Sequence, residues 1–312
     1  MTIRPSVFIG TLFVLGAAAL FASLAHLGPV RTDDQRVGIH ATASFYPLFY
    51  LAREIAGERA SVSFIVPPGA EPHDYELTPQ DMIRLQTSDI VILQGAGLEP
   101  WQNDVEHALN DHRTTIVIAG EASANRIFED EDGNNVTDPH TWLSPKRAHT
   151  LVDAILAGFV KADPAFADAY RANAADLTAR LAALDAEYAA TLASCRRYEI
   201  VTSHSAFGYL AADYGLEQVS IAGLSPEEEP SPKALAEVAR FARAHGVTHI
   251  FFETLVAPDL AETIAREVGA QTLVLNPIEG LTHAELAAGK DYMTAMRSNL
   301  AHLSTALSCT IQ

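Results

Sequence analysis

The sequence predicts an α/β fold, two parallel-sheet α/β lobes joined by a long rigid backbone helix. Three observations carry that reading. Short apolar, β-branched runs alternate with single helical segments in both halves of the chain, as parallel βαβ units require. Between the halves, residues 165–193 contain no Gly or Pro and hold 13 alanines. Thr78-Pro79, Ser144-Pro145, Asp163-Pro164 and Ser231-Pro232 each set a capping residue before a proline, the pattern of a helix start.

Each element follows in order. Val37–Thr42 reads as a strand, Phe45–Ala56 as a helix stopped by Gly57, and Ser61–Val66 as a strand. Thr78-Pro79 opens a helix to Thr87, and Ile90–Leu93 and Thr115–Ala119 are strands. The unbroken apolar run of Ile90–Leu93 suits a strand covered on both faces. Ser144-Pro145 opens a helix to Ala162. In the long segment, Phe166, Tyr170, Ala174, Leu177, Leu181, Leu184, Tyr188 and Leu192 step by three or four. That stripe predicts an amphipathic spine of about 43 Å. Glu199–Thr202, Gln218–Ala222, Thr248–Glu253 and Thr272–Leu275 read as the strands of the second half. Ala206–Tyr214, Ser231–His245, Pro258–Val268 and Gly289–Ser308 read as its helices. The expected organisation is a lobe at 37–163, a linking helix at 164–194 and a lobe at 195–312.

With 39 acidic against 21 basic residues, the net charge of −18 argues against nucleic acid and anionic membrane surfaces as partners. At the start, Arg4 is followed by an apolar run from Val7 to Leu24, with Ser23 and Ala25 before His26. This is the pattern of a secretory signal at residues 1–25, favoured over a membrane anchor because small residues end the run and no basic flank follows. No cysteine stands near that cleavage point, so a Sec-type signal without lipid attachment is expected. In an exported chain the two cysteines, Cys195 and Cys309, most simply form one disulfide; two buried thiols are the alternative.

Four candidate ligands fall just beyond predicted strands, where open parallel sheets bind. They are His73, His140, His204 and Glu279, two from each half, and a cleft between lobes would gather them. Imidazole nitrogens with one carboxylate suit zinc, and four protein ligands close its sphere, whereas catalytic zinc keeps a position open. Pro72 and Pro139 stiffen the backbone before two of the histidines. Other motifs weigh less. His245 and His249 are separated by Gly246, Pro100 spoils the dinucleotide fingerprint begun by Gly95-Ala96-Gly97, and Asn135-Val136-Thr137 is an isolated glycosylation triplet. Glu129–Asp132 reads as a solvated acidic loop.

The strings PPGAEPHDYELTP (67–79), DPHTWLSP (138–145), SHSAFGYL (203–210) and NPIEGLT (276–282) occur in order along the chain. Through them it resembles the zinc/manganese solute-binding proteins of bacterial ABC importers, the ZnuA-like cluster, from about Val37 to Cys309. The resemblance implies two lobes on a backbone helix with one metal in the cleft between them. It maps the ligands to His73, His140 and His204, with Glu279 fourth and Glu253 as runner-up. Histidine at the third position favours Zn²⁺ over Mn²⁺. It further implies a periplasmic, non-enzymatic, monomeric protein that delivers zinc to a membrane ABC permease. Two departures stand out: the loop at 128–136 is acidic without histidine, and Pro72 stands where some members carry a glutamate. The rival readings are a Mn²⁺ or Fe²⁺ importer component, an exported zinc-dependent hydrolase, a chelate-binding protein and a surface adhesin. They would show, respectively, a second carboxylate, an open metal position with a general base, a broad aromatic cleft, and cell-surface binding.

Overall fold

A computed structural model describes residues 38–110, 113–129 and 133–310. The expected signal at 1–25, Val37 and most of the acidic stretch Glu129–Asp132 lie outside the described residues. From Gly38 onward the chain forms one compact unit.

Two four-stranded sheets organise it. The first half runs β1 (His40–Ala43), α1 (Tyr46–Ala56), β2 (Ser61–Phe64), α2 (Pro79–Gln86), β3 (Ile90–Leu93), α3 (Gln102–Leu109) and β4 (Thr115–Ile118). A small antiparallel hairpin, β5 (Ile127–Glu129) and β6 (Asn135–Thr137), and α4 (Pro145–Ala162) follow. The long helix α5 covers Ala167–Leu192. The second half runs β7 (Glu199–Thr202), α6 (Gly208–Tyr214), β8 (Glu217–Ser220), α7 (Pro232–Ala244), β9 (His249–Phe252), α8 (Asp259–Val268) and β10 (Gln271–Val274). It ends with α9 (His283–Ala287) and α10 (Tyr292–Ala306). The strand orders are β2-β1-β3-β4 and β10-β9-β7-β8, and every pairing in both sheets is parallel.

Helices cover both faces of each sheet. Ile90 and Ile92 of β3 point into the main core with α1 and α4, while Val91 and Leu93 meet Leu85, Trp101, Val105 and Leu109 on the other side. All four β3 residues are therefore buried, which is why the strand reads as an unbroken apolar run. In the second sheet, Val201 and Ile250 pack with Val238, Ala239, Ala242, Ile264 and Ala265. Its opposite face joins the main core through Ile200, Phe251, Met296 and Leu303. The stripe of α5 lies in that same core, buried at Tyr170, Ala174, Leu177, Leu181, Leu184, Tyr188 and Leu192. It packs on α1 and α4 from the first half and on α10 and α6 from the second. One continuous hydrophobic core thus runs from β1 to α10.

Several expectations shift. Pro164–Phe166 form a 3-10 turn before α5, and the first stripe member, Phe166, is exposed. Asp163 accepts a hydrogen bond from Tyr170 Oη at 2.8 Å, and its side chain does not cap the helix. Ser144 likewise makes no cap bond; its hydroxyl is turned to Asp213, to which it donates at 2.6 Å. Thr78 and Ser231 do cap: Thr78 forms a capping box with Asp81, and Ser231 accepts from Ala234 N at 3.2 Å. Cys195 and Cys309 are joined by a disulfide, tying the end of α5 to the segment after α10. Among the described residues, no helix is long and apolar enough to cross a membrane.

Candidate metal centre

Parallel strands in one sheet end on the same side, so the loops after them share an edge. His73 lies in the loop after β2, His204 directly after β7 and Glu279 after β10. His140 follows the β5–β6 hairpin and leads into the 3-10 turn Thr141–Leu143. The structure brings one donor atom from each of these four residues within 4.8 Å of the others, and among the described residues they form the one such group. Glu279 Oε1 stands 3.4 Å from His73 Nε2, 3.2 Å from His140 Nε2 and 3.3 Å from His204 Nε2. His140 Nε2 is 3.2 Å from that of His73 and 3.4 Å from that of His204. A tetrahedron of donors at zinc distances, 2.0–2.1 Å, has edges of about 3.3–3.4 Å. Five of the six edges of the cluster already have that size, and all six are within 4.8 Å.

Local structure aims each donor. His140 donates from Nδ1 to Asp138 Oδ1 at 2.9 Å, and His204 from Nδ1 to Glu253 Oε1 at 2.5 Å. A proton held on Nδ1 leaves the lone pair on Nε2, facing the cluster. Gln94 donates to the Pro139 carbonyl at 2.7 Å and to the Thr141 hydroxyl at 2.9 Å, bracketing His140. Gln94 is set in turn by Glu99, which accepts the backbone N–H groups of Gln94 and Gly95 at 2.7 and 2.9 Å. Glu279 follows Ile278, whose φ of 57° is costly for a β-branched residue. Surroundings hold that turn: Ile278 N donates to Asn276 Oδ1 at 2.7 Å, and Trp142 Nε1 donates to the Pro277 carbonyl at 2.8 Å. The Trp142 contact ties the His140 loop directly to the Glu279 loop.

The electrostatics follow from burial. His140, His204 and Glu279 side chains are fully buried, and His73 is nearly so. Burial opposes charge on His204, but Glu253 and Glu279 outweigh it and hold its pKa well above the ordinary imidazole value. Burial likewise opposes charge on His140, and Asp138 and Glu279 overcome it, raising its pKa. At His73 burial prevails and lowers the pKa. Glu279 is held well below the carboxylate range: burial opposes its charge, and the three histidines more than compensate. Burial, with the charge of Glu279 nearby, pushes the Glu71 carboxyl up to about 9. Neither oxygen of Glu279 has a conventional hydrogen bond. Three imidazole nitrogens and one carboxylate oxygen converging in a buried site suit a cation once the histidines give up their second proton.

The site can be approached from the His73 side. A cavity of about 700 Å³ reaches His73, with Asp74, Phe128, Thr137, Leu224 and Glu228 on its walls. The other sequence candidates fall elsewhere. His245 caps α7 with Nδ1 at 3.0 Å from Glu199, and His249 sits in β9 with Nδ1 against the Thr248 hydroxyl. Glu253 stands behind His204 and takes no place among the four converging atoms. Asp138 is a residue the sequence reading passed over, although its place two residues before His140 is visible in Asp-Pro-His.

Comparison with known proteins points one way. The ZnuA family model, described as zinc-uptake complex component A, periplasmic, matches residues 42–306. The chain is 36% identical over 310 residues to the high-affinity zinc uptake system protein ZnuA of Bacillus subtilis, covering 95% of this chain and 97% of that protein. It is 37% identical over 281 residues to the zinc-binding protein AdcA of Streptococcus pyogenes, covering 84% of this chain. It spans only about half of that longer relative, 55%. Among solved structures, the Zn(II)-bound ZnuA-like domain of Streptococcus pneumoniae AdcA matches with a TM-score of 0.74 and 33% identity, over 86% of this chain and 99% of that one. The laminin-binding protein Lmb of Streptococcus agalactiae, described as having adhesin and metal-transporting activity, matches with a TM-score of 0.77 and 30% identity, over 86% and 100%.

Proposed function

The chain belongs to the ZnuA family of periplasmic zinc-uptake components, and on that premise we propose that it is the exported Zn²⁺-binding component of an ABC importer. His73, His140, His204 and Glu279 hold the ion, and a membrane permease receives it. The observation that carries this reading is the convergence of three Nε2 atoms on one carboxylate oxygen, Glu279 Oε1, at 3.2–3.4 Å, with all four atoms within 4.8 Å of one another. Three nitrogens and a single oxygen favour zinc over Mn²⁺, which prefers more oxygen ligands. Four protein donors leave no open position for an activated water, so the site captures rather than catalyses. The protein acts as a monomer in the periplasm after removal of residues 1–25. Lobes at 37–163 and 195–312 are spanned by the helix of residues 164–194.

Metal analysis of protein from the native exported fraction is expected to find one zinc per chain. Calorimetry of the stripped protein should show tight Zn²⁺ binding that Mn²⁺ does not displace. His140→Ala should lose most of the zinc-induced rise in thermal stability. Absence of tight binding by either ion would overturn the proposal, as would a zinc-induced shift unchanged in the variant.

A further inference from the structure

Glu71 is half-buried beside the cluster without supplying one of its four converging atoms. Its Oε1 accepts the backbone N–H of His73 at 3.1 Å, and its Oε2 is buried with no hydrogen-bond partner. The same arrangement recurs at the second histidine. Asp138 precedes His140 across Pro139 as Glu71 precedes His73 across Pro72. Asp138 Oδ1 accepts the backbone N–H of His140 at 3.0 Å and its Nδ1–H at 2.9 Å. His204 receives an equivalent pair of bonds from Glu253 Oε1, at 3.2 Å to the backbone and 2.5 Å to Nδ1. All three histidines therefore give their backbone N–H to a side-chain carboxyl oxygen. In two of them the same oxygen also holds the ring. At His73 no carboxylate holds Nδ1 among the described residues.

We propose that Glu71 is the positioning residue of His73, through an acid–proline–histidine turn used twice in the chain, and that glutamate rather than aspartate there leaves the His73 ring the least firmly oriented of the three. The proposal rests on the zinc reading above. Proline fixes its own φ, so the carboxylate two residues back meets the histidine N–H. A bond to the backbone places the loop. A second bond, to Nδ1, sets the ring rotation and puts the lone pair on Nε2. Aspartate spans both at His140; glutamate, one methylene longer, reaches only the backbone at His73.

The test compares the wild type with Glu71→Ala and Glu71→Asp in the full mature chain. Three quantities are read: zinc release into excess chelator, thermal stability of the metal-free protein, and the tautomer of His73 from long-range proton–nitrogen NMR correlations. Glu71→Ala should release zinc about ten-fold faster, the scale on which outer carboxylates tune metal sites. Glu71→Asp should release it more slowly than the wild type and shift His73 toward the Nδ1–H form. A purely structural Glu71 would make both substitutions speed release and lower metal-free stability together. That outcome, or an unchanged His73 tautomer in Glu71→Asp, would overturn the proposal. Failure of the wild type to bind zinc would sink the zinc reading instead, and the metal-free tautomer would still decide the role of Glu71.

Discussion

Three imidazole Nε2 atoms stand 3.2–3.4 Å from one carboxylate oxygen, and the Nδ1 protons of His140 and His204 are held by Asp138 and Glu253. Without metal, the cluster is relieved by protonation. His204 has a folded-state pKa well above its ordinary value, so its protonation stabilises the metal-free fold. That contribution is complete below the ordinary imidazole value and disappears as pH rises through the raised one. Zinc needs the same lone pairs, so its affinity should begin to fall on acidification above the ordinary imidazole range. Denaturant titrations across pH should therefore show opposite trends. The metal-free protein should lose stability from neutral to alkaline pH, while the increment added by zinc grows. Parallel trends would mean that protons and metal do not share the site. The four converging residues were legible in the sequence because each follows a predicted strand. The carboxylates behind them were less so, since Glu253 is 49 residues from His204 and the two meet only through neighbouring strands β7 and β9.

At the scale of elements, local chemistry and tertiary packing divide the work. The long helix α5 is set by composition, but its stability comes from one buried stripe shared with four other helices. Leu181→Ala, at the centre of that stripe, should destabilise by about 2–5 kcal/mol, read as a lower urea midpoint. Thr78→Ala removes a complete capping box and should cost about 1 kcal/mol by the same measurement. Helix starts were legible where the cap is local, at Thr78 and Ser231. Ser144 misleads because Asp213, far along the chain, claims its hydroxyl. Three elements were not anticipated. Helix α3 begins at Trp101 with no side-chain cap, and the β5–β6 hairpin is short and largely exposed. Helix α9 has a signal after all, the capping box of Thr282 and Glu285.

Across the whole molecule, long-range ties connect the two halves. Trp142 donates to Pro277, Tyr188 Oη donates to the Met296 carbonyl at 2.6 Å, and the disulfide joins residues 114 apart. Replacing both cysteines with serine removes a constraint on the unfolded chain worth up to about 4–5 kcal/mol for a loop of this length. The expected result is a clearly lower thermal midpoint, with zinc affinity nearly unchanged because the disulfide lies outside the cluster. Loss of zinc binding in a folded double variant would contradict that separation.

The alternation of strands and helices, the long Gly- and Pro-free segment and the polar residues after the strands are local patterns, so composition and periodicity alone determined the fold class and nominated the four converging side chains. Distances between donors, the tautomers set by Asp138 and Glu253, the strained turn at Ile278 and the convergence of Glu279 rather than Glu253 with the three imidazoles depend on tertiary structure. Each depends on groups far apart in sequence. Their positions are fixed by strand order and by a core that packs both halves against one helix.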